Sequence, residues 1–278
     1  MIQDLCITTL IEDTAVSQEL TAEHGLSFWI NYGNRSILFD TGQSDLLLKN
    51  AEILNIDLAS ADAIVLSHGH YDHTGGLAAV LEIAPKAKIY LHPAAVELKF
   101  SRNGGSVRPI GMSDAARAAI QNRRVIWTVA PARLFSGISV TGQITRINDF
   151  EDVGGAFFND NDCLKSDELL DDQALFIESS RGLIVVLGCA HSGVVNTLNY
   201  ISKLTGKKKV YALIGGIHLL NANRSRIENT LKAFKKFGIQ KVIPLHCTGA
   251  GAVKVFNNVF AAECLFLGAG GKICFNGL

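Results

Sequence analysis

The sequence predicts an α/β protein that carries its chemistry at the ends of strands. Apolar runs of strand length recur at residues 63–66, 183–187, 210–214 and 242–245. Segments of helical spacing alternate with them, at 77–83, 194–204 and 227–237. Histidines close these runs: His68, His191, His218 and His246. Loops that leave strand ends are where α/β proteins place reactive groups.

The densest of these points is Leu66-Ser67-His68-Gly69-His70-Tyr71-Asp72-His73-Thr74-Gly75-Gly76, directly after the buried-strand run 63–66. Neutral imidazole and carboxylate suit a borderline divalent ion such as Zn2+, and also Mn2+ or Fe2+. On a turning loop His68 and His70 can point to one side as a chelating pair. Asp72 and His73, past the bend, can face a second ion at the separation of a dinuclear site.

Composition supports a globular chain. Of 278 residues, 48% are hydrophobic and 19% charged, with a formal net charge of zero. Nothing global favours nucleic acid or an anionic membrane. No apolar stretch reaches membrane-spanning length. The N-terminal residues, with acidic Asp4 and no basic start, do not read as a signal peptide. Cys6, Cys163, Cys189, Cys247, Cys264 and Cys274 are dispersed without a Cys-x-x-Cys, so reduced thiols and a cytoplasmic location are expected. Apolar segments near the chain ends leave room for a homodimer.

Taken in order, residues 5–11 read as an edge strand. A second strand follows Glu23-His24-Gly25-Leu26-Ser27, then a hairpin turn at 31–34, and the strand 36–39 ends in Asp40-Thr41-Gly42. Residues 46–54 have helical spacing. The strand 88–91 ends at His92, read as structural or pocket-lining. Residues 94–170 are the least periodic. A short helix at 115–119 and strands at 125–129 and 138–140 stand out, and Gly104-Gly105 reads as a loop. Lys99, Arg102 and Arg108 could offer positive charge to a phosphate or carboxylate there. Asp171 and Asp172 precede the strand 183–187, which ends in Gly188-Cys189-Ala190-His191. On the helix 227–237, Leu231 and Phe234 mark the buried face, and Lys232, Lys235 and Lys236 a solvated one.

The order His-x-His-x-Asp-His after a strand resembles the signature of the metallo-β-lactamase superfamily. That resemblance implies a four-layer αβ/βα sandwich, here one domain over residues 1–278 with a substrate-shaping insertion at about 94–170. It implies one or two metal ions in a groove at the sandwich edge, most simply two Zn2+, with Mn2+ or Fe2+ as alternatives. Members carry a Phe-Asp-Thr-Gly like the one ending in Gly42, whose aspartate accepts a hydrogen bond from a ligand histidine. The resemblance implies that role for Asp40 here. By order along the chain, His191 matches the histidine completing the first metal's set, and His246 the terminal ligand. The bridging aspartate of most members is missing. His218 stands at the comparable strand end, and Asp171, Cys189 or His218 itself could complete the set. His24 would line the pocket.

Glu-His-Gly-Leu-Ser, Gly-Cys-Ala-His-Ser-Gly-Val-Val-Asn, Gly-Gly-Ile-His-Leu and His-Cys-Thr-Gly narrow the resemblance. They are similar to the subgroup of metal-dependent hydrolases named for 7,8-dihydropterin-6-yl-methyl-4-(β-D-ribofuranosyl)aminobenzene 5′-phosphate synthase. The expected activity is hydrolysis of a small, phosphorylated or heterocyclic molecule by a metal-activated hydroxide. Asp72 would orient that hydroxide and His218 would protonate the leaving group. The rival within the class is the synthase reaction, a condensation releasing pyrophosphate. A di-iron redox protein and a non-catalytic metal-dependent sensor are the rivals outside it.

Overall fold

The computed structural model describes residues 4–121 and 123–277. The strands and helices follow in chain order. The first half comprises β1 (Leu5–Ile11), β2 (Ser27–Tyr32), β3 (Arg35–Phe39), α1 (Leu46–Ile53), β4 (Ala63–Val65), α2 (Tyr71–Thr74), α3 (Leu77–Ile83) and β5 (Lys88–Leu91). Then come β6 (Phe100–Asn103), β7 (Ser106–Pro109), α4 (Asp114–Gln121), β8 (Val125–Trp127), β9 (Ala132–Phe135), β10 (Ile138–Val140) and β11 (Phe157–Phe158). The remainder is β12 (Leu175–Ser179), β13 (Gly182–Leu187), α5 (Val194–Thr205), β14 (Val210–Gly216), α6 (Arg224–Lys236), β15 (Lys241–Leu245), α7 (Ala250–Phe260) and β16 (Lys272–Phe275).

These elements divide into two compact units. The first comprises Met1–Trp127, Phe157–Asp167 and Leu267–Leu278; the second comprises Thr128–Ala156 and Glu168–Phe266.

The first unit is built on a seven-stranded sheet in the order β16-β1-β2-β3-β4-β5-β8. Its first half is antiparallel, and from β3 onward the pairing is parallel. In the parallel half, β4 and most of β5 read as apolar runs, as expected for strands buried on both faces, whereas β8 is partly exposed. Leu38, Ile64, Ile89 and Leu91 pack with Leu47 and Ala51 of α1, Leu77, Val80 and Leu81 of α3, and Ala116 and Ile120 of α4. Ile37, Phe39, Ala63 and Val65, alternating with them, are also fully buried. A small sheet, β11-β6-β7, completes the unit.

The second unit repeats the plan with a six-stranded sheet, β15-β14-β13-β12-β10-β9. The pairs β13/β14 and β14/β15 are parallel, and the rest are antiparallel. Val185, Leu187, Leu213 and Val242 share a core with Leu198 and Ile201 of α5, Phe234 of α6 and Phe256 of α7. Helix α5 begins where the Glu151 carboxylate accepts from Val195 N and Asn196 N, each at 2.9 Å. It ends at the left-handed Gly206. Asn223 caps α6 by accepting from Arg226 N at 2.9 Å.

Three expectations change. Residues 5–11 are not an edge, because β16 pairs beside β1 with Leu5 opposite Phe275. A four-residue strand after a glycine-rich approach is too short to show a pattern. Cys6 and Cys274 face each other in that register and form a disulfide, so they are not the reduced thiols expected from their spacing. The segment 94–170 carries more strand than its pattern suggests. Gly104-Gly105 is the turn of the β6/β7 hairpin, and β9, unforeseen, pairs with β10. Among the described residues no helix is long and apolar enough to cross a membrane.

Candidate metal centre

In the first unit, β4 ends and the chain turns through Ser67-His68-Gly69-His70 into α2. His70 stands extended at the start of α2, and Tyr71 N donates to Ile110 O at 2.9 Å. His68 and His73 are fully buried, and His70 and Asp72 nearly so. Gly25 sits behind this turn at φ +144°. A side chain there would overlap the backbone carbonyl of Asp72, so only glycine allows the approach.

The ring nitrogens converge. His68 Nε2 lies 3.0 Å from His70 Nδ1. The His68 ring centroid lies 4.6 Å from that of His70 and 4.3 Å from that of His73. Asp72 Oδ2 lies 3.6 Å from His73 Nε2 and 3.4 Å from His24 Nε2. His24 is held in turn by Asp13 at 3.1 Å.

Asp40, fully buried at the end of β3, organises this group. Its carboxylate accepts from Ser67 N at 2.7 Å, from Ser67 Oγ at 2.6 Å and from His73 Nδ1 at 2.7 Å. Donating from Nδ1 leaves His73 with its lone pair on Nε2, the nitrogen nearer Asp72. Ser67 Oγ also meets His68 Nδ1 at 2.9 Å, which turns the Nε2 of His68 toward His70. One carboxylate thus orients two imidazoles, one directly and one through a hydroxyl. That is the outer-sphere arrangement metal-binding histidines use. Ser67 lies within the motif, but nothing in the sequence singles it out for this role.

In the second unit, His191 is buried on the loop between β13 and α5. Its Nδ1 donates to Val153 O at 2.7 Å, leaving Nε2 as the lone-pair nitrogen. His218, just past β14, has its ring centroid 4.3 Å from that of His191 and its Nε2 3.3 Å from Gly154 O. The thiols of Cys189 and Cys247 and a nitrogen of His218 all lie within 4.8 Å of one another. Burial opposes ionisation of the Cys247 thiol. The contact with Cys189 and the positive potential of His218 and His246 outweigh it and hold the thiol well below its usual range. Burial alone would depress His218, but Cys247 raises it above its ordinary value.

Asp172 accepts from Ser192 N at 2.8 Å. Burial pushes its carboxyl up to about 6 against the pull of the Ser192 and His191 amides. Asp171 is buried beside it. His246 stands at the end of β15.

Four of the eight non-glycine residues with positive φ among the described residues stand at these positions. Asp40, Ala190, His218 and His246 all have positive φ, between 46° and 59°. Non-glycine residues take that conformation at a cost, and such residues gather where side chains must be aimed.

Three residues outside the histidine clusters resolve into packing roles. His92 Nδ1 accepts from Ala94 N and caps a short helical turn. Lys99 is fully buried on Asp167 at 2.8 Å, an internal ion pair rather than a surface charge. Arg102 lies over the Phe158 ring.

The donor set fits a divalent ion. Imidazole nitrogens with their tautomers held by second partners, next to a carboxylate, are the ligands of zinc, manganese and iron sites.

Comparison with known proteins agrees. Residues 20–143 match the family described as the metallo-beta-lactamase superfamily. The chain is 35% identical, over 99% of its length and 98% of the relative's, to the 7,8-dihydropterin-6-methyl-4-(beta-D-ribofuranosyl)-aminobenzene-5′-phosphate synthase of Methanocaldococcus jannaschii. The crystal structure of Tm1679, described as a metal-dependent hydrolase of the beta-lactamase superfamily, superposes with a TM-score of 0.84 at 29% identity. That match covers 98% of this chain and 99% of the other. The metallo-beta-lactamase fold protein YhfI of Bacillus subtilis, at 14% identity and a TM-score of 0.60 over 98% of this chain and 100% of its own, shares the fold. The chain belongs to the metallo-beta-lactamase superfamily, with the α/β fold of that class. Members of the superfamily are enzymes that bind metal ions.

Proposed function

We propose that this chain is a metal-dependent enzyme of the synthase type. It joins a dihydropterin carrying a diphosphate ester to a ribofuranosylaminobenzene 5′-phosphate. The observation that carries this reading is the 35% identity to the archaeal synthase over nearly the whole length of both chains. In the reaction an arylamine nitrogen attacks the pterin methylene carbon. The C–O bond to diphosphate breaks with its electron pair, and the amine proton goes to a base.

His68, His70, Asp72 and His73 of the first unit are proposed as metal ligands, as are His191 and His246 of the second, with His218, Cys189 or Asp171 as further candidates there. Two divalent ions, Zn2+ or alternatively Mn2+ or Fe2+, suit these donors. A bound ion would polarise phosphoryl oxygens and stabilise the departing charge. Asp40 and Ser67 keep His73 and His68 in the tautomers that present Nε2. His218 gives a proton to the leaving oxygen, and His24 holds the Asp72 carboxylate in place.

A hydrolase is the second reading, supported by the likeness to Tm1679 at 29% identity. It uses the same residues, with water replacing the amine. One experiment separates the two readings. Metal-loaded protein is given each organic substrate alone and then both, and pyrophosphate is followed. Release only when both are present supports the synthase. Turnover of a single phosphorylated substrate in water replaces that reading with the hydrolase. His68→Ala with His70→Ala should lose bound metal by elemental analysis and lower turnover more than about 100-fold. Full metal content in that variant would sink the ligand assignment.

A further inference from the structure

Beside His191 and His218 the second unit contains a cavity of about 530 Å³, lined by Asp152, Gly154, Gly155, His218, Asn221 and Arg226, among others. It lies where the chain enters α6, since Asn221 immediately precedes the capping segment and Arg226 is in the first turn. Arg226 is only 5% exposed. Its Nη1 donates to Asp152 Oδ1 at 2.5 Å and its Nη2 reaches Asp152 O at 3.4 Å, while Nε is buried without a hydrogen-bond partner. Burying a guanidinium is costly unless its charge is met, and the carboxylate it meets, that of Asp152, is itself largely exposed.

The rest of the wall favours an anion. Asp152 is largely exposed, so water screens its charge, and it acts as a brace. It orients the guanidinium and also accepts from Gly154 N at 2.8 Å. The N-terminus of a 13-residue helix adds positive potential at the same place. Gly154, at φ +89°, passes so close to His218 that any side chain would overlap the ring, so the backbone itself forms that wall. Tetrahedral oxyanions are the ligands that a guanidinium fork and a helix N-terminus recognise together.

We propose that this cavity binds a phosphoryl group of the substrate, with Arg226 as its cationic wall and Asp152 positioning that arginine. The ring of His218 lines the cavity and stacks near His191, so the phosphoryl group would sit next to a proposed metal ligand. This inference rests on the proposed function only for the molecule that carries the phosphate.

The test is calorimetric titration of the full-length, metal-containing protein with inorganic phosphate and, separately, with inorganic pyrophosphate, metal content being measured in each sample. Arg226→Met should weaken the anion that fits the cavity about tenfold or more, and Arg226→Lys less, because it keeps the charge but not the fork. Ala156 also lines the cavity, and Ala156→Glu, which leaves the Arg226–Asp152 pair intact and adds a carboxylate there, should weaken it as well. That variant decides the matter if Arg226→Met does not fold. A stronger effect on phosphate points to a monoester, and a stronger effect on pyrophosphate to a diphosphate. No anion binding by the wild type, or equal affinity in folded Arg226 and Ala156 variants, overturns the inference. Anion binding without condensation would leave it standing and remove only the synthase reading.

Discussion

At the scale of single residues, Asp40 bears the most consequence for its size. It is fully buried with three donors on one carboxylate, and it reaches two of the histidines that define the motif. Asp40→Ala should lower metal affinity by about 10- to 100-fold, as losses of an outer carboxylate partner do. Asp40→Asn should keep the packing but unsettle the His73 tautomer, giving a smaller loss of affinity at nearly wild-type thermal stability. Metal titration beside thermal melts checks both. Unchanged metal affinity in Asp40→Ala would remove the orienting role assigned to this residue. Asp40 is legible in the sequence because Phe-Asp-Thr-Gly stands at a strand end. Ser67 is not, because a serine before a histidine carries no pattern until the carboxylate beneath it is seen.

At the scale of elements, the strands that position the candidate centre are readable because they are buried on both faces. Such strands appear as unbroken apolar runs, and β4, β13, β14 and β15 all do. The weaker elements have no such signal. The β6/β7 hairpin is largely exposed, and β11 has two residues. One tie between this region and the rest of the first unit is the Lys99–Asp167 pair, joining positions 68 residues apart. Lys99→Met leaves the Asp167 carboxylate buried without its ammonium and should cost about 3–5 kcal/mol. Lys99→Met with Asp167→Leu should recover most of that loss, because both charges are then gone. Denaturant unfolding of the two variants tests this. If the double variant were no better than the single, the pair would not be the cause.

At the scale of the whole molecule, β1 and β16 bring the two ends of the described chain together, and Cys6–Cys274 links them across 268 residues. Closing so long a loop restricts the unfolded chain. Reduction, or Cys274→Ser, should therefore lower stability by about 2–5 kcal/mol, read as a fall in melting temperature under reducing conditions. An unchanged melting temperature after reduction would show that strand pairing alone holds the ends. Metal should act on the same scale. Dialysis against a chelator should lower the melting temperature and re-addition restore it, since ligand bound only by the folded state stabilises it by mass action.

The sequence by itself determined the α/β class, the strands of the two parallel cores, and the histidines and aspartates at their ends. It could do so because burial and metal chemistry restrict residue type within a few positions of each other. Only the tertiary structure decided which partners those residues have. Asp40 beneath His73, Arg226 braced by Asp152, Lys99 on Asp167 and Cys6 opposite Cys274 are all distant in the chain. None of these pairs leaves a periodicity, because a contact across the fold is a matter of register and topology rather than of local composition.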